Sequence, residues 1–152
     1  MSKERSRSAL PRRAPQASAP GPDEKVLKRS GADLQNGWLG RHGDLVLTED
    51  RLVFLPTLLD TALRAKRREI RLDDITLIER YPERPGDPTP GGRRARMLLH
   101  TEECVYELMV GDLDAWIDTL ERVYELRGQS GHTHRPPTKR EGHINIFLTE
   151  DR

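Results

Sequence analysis

The amino-acid sequence predicts a mainly β domain: a partly open sandwich of about six to seven short antiparallel strands capped by one C-terminal α-helix. Three observations carry this expectation. Short aliphatic and β-branched runs recur at close spacing between residues 44 and 110. Turn-forming polar pairs, glycines and prolines separate them. Beyond Gly111 the apolar period changes from two to 3.6 and holds to Tyr124.

The chain is not uniform around that domain. It has 152 residues, 34% of them apolar, with 12 Gly and 11 Pro; its mean hydropathy is −0.77. That is too polar for the whole chain to share one packed core. Residues 1–30 carry 8 basic and 3 acidic groups and read as a disordered basic arm. Residues 31–127 carry 14 and 19 and read as the domain, a mildly acidic body. Residues 128–152 read as a flexible tail that ends in a short strand-like peptide. The single cysteine, Cys104, excludes an internal disulfide and is expected as a small core residue. No run of about 20 apolar residues is present to span a membrane. The charges at the N-terminus are not followed by an apolar stretch, so a secretory signal is not expected and the chain reads as cytoplasmic.

Taken in order, a weak strand is expected near Trp38-Leu39. Asp44–Thr48 and Leu52–Leu55 make a hairpin around Glu49-Asp50-Arg51, and Pro56 stops it. Glu69–Leu72 alternates with period two, and Ile75–Ile78 follows the Asp73-Asp74 break. A loop rich in Pro and Gly spans residues 82–92. Arg96–Leu99 and Cys104–Val110 form a second hairpin, with Cys104, Tyr106, Leu108 and Val110 on one face. Leu113, Trp116, Ile117, Leu120, Val123 and Tyr124 then form one stripe of a helix; Asp112 suits its N-cap and Gly128 its end.

The run Gly43-Asp44-Leu45-Val46-Leu47-Thr48-Glu49-Asp50-Arg51-Leu52-Val53-Phe54 resembles the G-x-L-x-L-T-x-x-R-L-x-F hairpin of GRAM domains, a branch of the pleckstrin-homology (PH) superfold. Glu69–Ile75 and Val105–Leu108 with the helix are similar to later parts of the family pattern, with Arg71 where the family usually has proline. The resemblance covers residues 31–127 and implies a domain often associated with membranes or phosphoinositides. Read physically, Gly43 would allow an unusual backbone angle, the Thr48 hydroxyl would bond turn amides, and Leu45, Leu47, Leu52 and Phe54 would face the core.

Catalysis is not expected. Gly37, Gly40 and Gly43 match no nucleotide fingerprint, and no nucleophile-elbow, zincin or paired-cysteine motif occurs. His132, His134 and His143 read as solvated tail rather than metal ligands, so neither a metal nor a cofactor is called for. Glu49-Asp50, Asp73-Asp74 and Glu102-Glu103 read as solvated turn residues. The stretch Leu58–Arg68 carries three leucines and ends in four cations, Arg64, Lys66, Arg67 and Arg68. Arg93, Arg94 and Arg96 form a second cluster. The first stretch suits an anionic membrane surface, and if both clusters meet at one end of the sandwich they would form a cradle for a phosphorylated headgroup. The bland reading is a short helix whose leucines plug the core. The alternative function is a protein–protein adaptor working through sheet edges and the C-terminal peptide, with residues 144–149 adding to a sheet edge in cis or on a second copy. Nucleic acid is not favoured: the arm offers Arg5, Arg7, Arg12 and Arg13 but no aromatic residue for stacking.

Overall fold

A computed structural model describes residues 18–36, 39–62, 66–86, 88 and 94–140. Eight strands form one sheet that is bent around a core and left open at both edges. They are β1 (Val26–Asn36), β2 (Leu39–Thr48), β3 (Arg51–Pro56), β4 (Arg68–Arg71), β5 (Leu77–Tyr81), β6 (Arg96–His100), β7 (Val105–Val110) and β8 (Thr138–Lys139). The order is β4-β3-β2-β1-β7-β6-β5-β8. All neighbours are antiparallel except β5 and β8. A five-residue helix, α1 (Leu58–Ala62), joins β3 to β4, and α2 (Leu113–Gln129) follows β7. The expected mainly β architecture with one capping C-terminal helix is what forms.

The β2–β3 hairpin is the local centre of the fold. Its turn needs only Glu49 and Asp50, because the Thr48 hydroxyl accepts from the Asp50 and Arg51 amides at 3.3 and 3.2 Å. Leu45, Leu47, Leu52 and Phe54 enter the core as expected, and Val46 and Val53 are buried too, opposite each other on the other face. The unbroken apolar runs therefore correspond to strands covered on both sides.

Gly43 has a different reason from the one its sequence position suggests. It pairs with Ala32 and Pro56 inside the sheet, and the only described glycines with positive φ are Gly86 and Gly131. A Cβ at Gly43 would fall on the Leu55 carbonyl oxygen and 2.8 Å from Pro56 Cα. Close approach of two backbones, not an unusual angle, selects glycine here.

Helix α2 buries the predicted stripe of Leu113, Trp116, Ile117, Leu120, Val123 and Tyr124. The Ala115 amide donates to Asp112 Oδ1 at 3.4 Å, which is the expected cap. The helix runs through Gly128 to Gln129, and it is Gly131, at φ 101°, that takes the left-handed position. Two polar bonds orient the rod: Trp116 Nε1 donates to Ser30 Oγ at 2.8 Å, and Tyr124 Oη donates to the Leu72 carbonyl at 2.5 Å. One reaches β1 and the other the 3₁₀ turn Leu72–Asp74, so α2 is tied to both halves of the bent sheet.

Further differences from the sequence expectations concern where elements begin and end, among them β5, which runs Leu77–Tyr81 where Ile75–Ile78 is expected. β1 starts at Val26, inside the segment read as basic arm. Only Ala32 and Leu34 of this strand are fully buried apolar residues, so its period-two signal is faint. Cys104 is exposed rather than in the core. β7 begins one residue later, and Cys104 closes the preceding turn: its carbonyl accepts from the Thr101 amide and hydroxyl, both at 2.9 Å. Residues 132–140, read from composition as linker, are docked. The His132 amide donates to the Arg127 carbonyl, Pro136 is buried, and Thr138 and Lys139 pair with Ile78 and Glu79.

Candidate functional site: the β3–β4 connection

β3 ends at Pro56, and the Thr57 amide turns back to the His42 carbonyl at 2.9 Å. The Thr57 carbonyl then accepts from the amide and hydroxyl of Thr61, both at 2.8 Å, which closes α1. The short helix stands off the rim of the β2–β3 hairpin. Leu58 is 90% exposed and Leu59 72% exposed, so neither plugs the core. Leaving two leucines in water forgoes roughly 3–6 kcal/mol of burial. Leu63 and Arg64 lie outside the described residues. Lys66, Arg67 and Arg68 follow, all exposed, with Arg68 opening β4 opposite Phe54. Among the described residues none of these three makes an ion pair with a carboxylate.

The second cationic cluster is differently placed. Arg93 lies outside the described residues. Arg94 is exposed and donates to Asp33 Oδ2 at 3.1 Å. Arg96 is only 5% exposed; it is held by Glu107 on β7 and donates to the Arg94 carbonyl from Nε and Nη2 at 3.3 and 3.2 Å. Four strands, β3, β2, β1 and β7, separate β4 from β6 in the sheet order. The exposed cations of the β3–β4 connection thus differ from Arg94 and Arg96, which are engaged by carboxylates of β1 and β7.

A second feature escaped the sequence reading. Glu69, Asp73, Asp74, Glu102 and Glu103 line one groove of about 470 Å³, with Tyr106 at its wall. These acids come from β4, the 3₁₀ turn and the β6–β7 turn, and only the bend of the sheet makes them neighbours. Burial pushes the Tyr106 hydroxyl up to about 12, with Cys104 beside it adding to the effect. Residues 144–149 fall outside the described residues.

Among the described residues no helix is long and apolar enough to cross a membrane. No protein-family model matches the chain, and no curated protein matches it in sequence. Solved structures do match its fold. The hSac2 domain from the human phosphoinositide phosphatase Sac2 aligns with TM-score 0.56 at 13% identity, covering 79% of each chain. The Vps36 N-terminal PH domain aligns with TM-score 0.53 at 17% identity, covering 70% of this chain and 83% of that one. The chain therefore has a PH-like fold: a bent, open β-sheet with a C-terminal helix across its core.

Proposed function

We propose that this PH-like domain, as the GRAM resemblance implies, is a non-catalytic binding module that attaches peripherally to anionic lipid or phosphorylated headgroups through the β3–β4 connection. Because this fold serves many unrelated functions, the site has to carry the reading. It rests on one observation: Leu58 and Leu59 are exposed on the same β3–β4 connection that carries three exposed cations, Lys66, Arg67 and Arg68. Apolar side chains next to Lys and Arg are what an interface of acyl chains and acidic headgroups attracts. Each cation near such a surface contributes about 1 kcal/mol, and each leucine that inserts adds about 1.5–3 kcal/mol. Arg64 adds a fourth cation to this connection by sequence, whereas Arg94 is paired with Asp33 and Arg96 with Glu107. Residues 31–127 carry 14 basic and 19 acidic groups, so binding is confined to an oriented patch.

Sedimentation with vesicles tests this. The protein is expected to pellet with phosphatidylserine-containing vesicles at low salt, to release as salt rises, and to ignore pure phosphatidylcholine. Leu58→Asp with Leu59→Asp should lower binding at least tenfold while leaving the urea midpoint unchanged, since both side chains are exposed. Lys66→Glu with Arg67→Glu should do the same. Absence of binding to acidic vesicles at low salt rejects the reading.

A further inference from the structure

Residues 136–140, Pro-Pro-Thr-Lys-Arg, lie as an extended segment between the β5 edge and the acidic side of α2. The Ile78 amide donates to the Pro137 carbonyl at 3.0 Å, and Thr138 and Lys139 pair in parallel with Ile78 and Glu79. Lys139 Nζ is 3.8 Å from Glu79, and Arg140 Nη2 donates to Asp118 at 2.8 Å and Glu121 at 2.5 Å. Upstream, His134 Nε2 donates to the Ile75 carbonyl at 2.7 Å, and its ring meets Tyr124 edge-on. The seat reads a defined chemistry. Two consecutive prolines hold the chain extended and have no amide to satisfy; one carbonyl meets the edge amide of Ile78; two cations meet three carboxylates.

We propose that this groove between β5 and α2 is a docking site for an extended, proline-containing basic segment of another polypeptide, and that residues 136–140 occupy it in cis. Apart from the buried Pro136, the cis occupant is held by short pairing and partly solvated charges. Its pairing with β5 is two residues long, and the ion pairs of Arg140 are partly solvated, with Arg140 40% and Asp118 69% exposed. Pairs of that kind add little each. A competing segment therefore displaces the strap when it supplies the same carbonyl and cations in a longer strand. Exchange of the strap between two copies is less favoured by the hinge. The amides of Ser130, Gly131 and His132 donate to the Arg127 and Gly128 carbonyls, and swinging the whole strap away breaks that set, whereas peeling 136–140 does not.

The probe is a fluorescent synthetic peptide with the sequence of residues 132–140. It should bind the full chain carrying Lys139→Glu and Arg140→Glu, whose strap is released, at least tenfold more tightly than the unsubstituted chain. Adding Asp118→Lys and Glu121→Lys should abolish that gain, and so should replacing both prolines in the peptide by glycine. Titration of unlabelled peptide into ¹⁵N-labelled unsubstituted chain should move the Ile78 and Lys139 amide signals, a readout that does not depend on how the variants fold. A peptide that binds the released chain no better, or leaves those signals in place at millimolar concentration, overturns the proposal. Concentration-dependent dimers of the unsubstituted chain in sedimentation, without peptide binding, would overturn it in favour of strap exchange. The vesicle assay reads a different surface, so failure of one proposal leaves the other standing.

Discussion

Gly43 is the point at which β2 and β3 leave no room for a side chain, and its neighbourhood gives a sharp test of close packing. A methyl group there meets the Leu55 carbonyl and Pro56 Cα, both backbone and unable to step aside. Gly43→Ala is expected to destabilise by about 1–3 kcal/mol, read as a lower urea midpoint. Gly31→Ala, whose nearest neighbour would be 4.0 Å away, should stay within about 0.5 kcal/mol of the parent. Glu24 provides a second residue-scale test. Its carboxylate accepts from Arg51 Nε and Nη2, both at 2.9 Å, and that bond holds its pKa near 2, below an ordinary 4.5. A carboxyl whose folded pKa is depressed contributes stability that is complete above the unfolded value and disappears as pH falls through the folded one. The chain should therefore lose stability between about pH 5 and pH 2, and Glu24→Gln should flatten that part of a stability–pH profile. An unchanged slope in the variant would show that other carboxylates carry the acid response.

Among the elements, α2 does most to organise the molecule, and its last turn adds a group that periodicity alone does not mark. Arg127 falls on the buried stripe at 6% exposure. Its Nη1 donates to the Glu49 carbonyl at 2.9 Å and to Asp50 at 3.1 Å, while Nη2 meets Asp73. One side chain thus clamps the β2–β3 turn and the 3₁₀ turn against the helix end. Arg127→Met keeps the apolar stem but strands the Glu49 carbonyl, at an expected loss of about 1–3 kcal/mol in chemical denaturation. Leu120→Ala, which removes a fully buried side chain from the stripe, should lose about 2–5 kcal/mol. Helix α1 is the opposite kind of element: five residues, far too short to hold itself together in isolation, with its leucines turned to solvent.

At the scale of the whole molecule, the sheet is a single path from β4 to β8, and its stability should grade along that path. Amides of Leu45, Leu47, Leu52 and Phe54 sit in a hairpin paired on both sides and should exchange slowest; those of Thr138 and Lys139, at a two-residue edge, should exchange first. Equal protection of β8 and the hairpin in hydrogen-exchange measurements would contradict a displaceable strap.

Local periodicity determined the β2–β3 hairpin, the stripe of α2 and the Asp112 cap, because each depends on residues a few positions apart and on geometry that repeats along one chain. The leucines and cations of residues 58–68 were legible as a composition. Whether Leu58 and Leu59 were core or surface depended on how far α1 stands from the sheet, which no short window records. The fate of Arg94 and Arg96 rested on Asp33 and Glu107, 61 and 11 residues away. The docking of residues 136–140 required carboxylates from β5 and α2 to meet at one edge. Pairing between distant segments, set by the bend of the sheet and the placement of α2 across it, decided those features, since opposite charges and unpaired amides find partners only once the chain has closed.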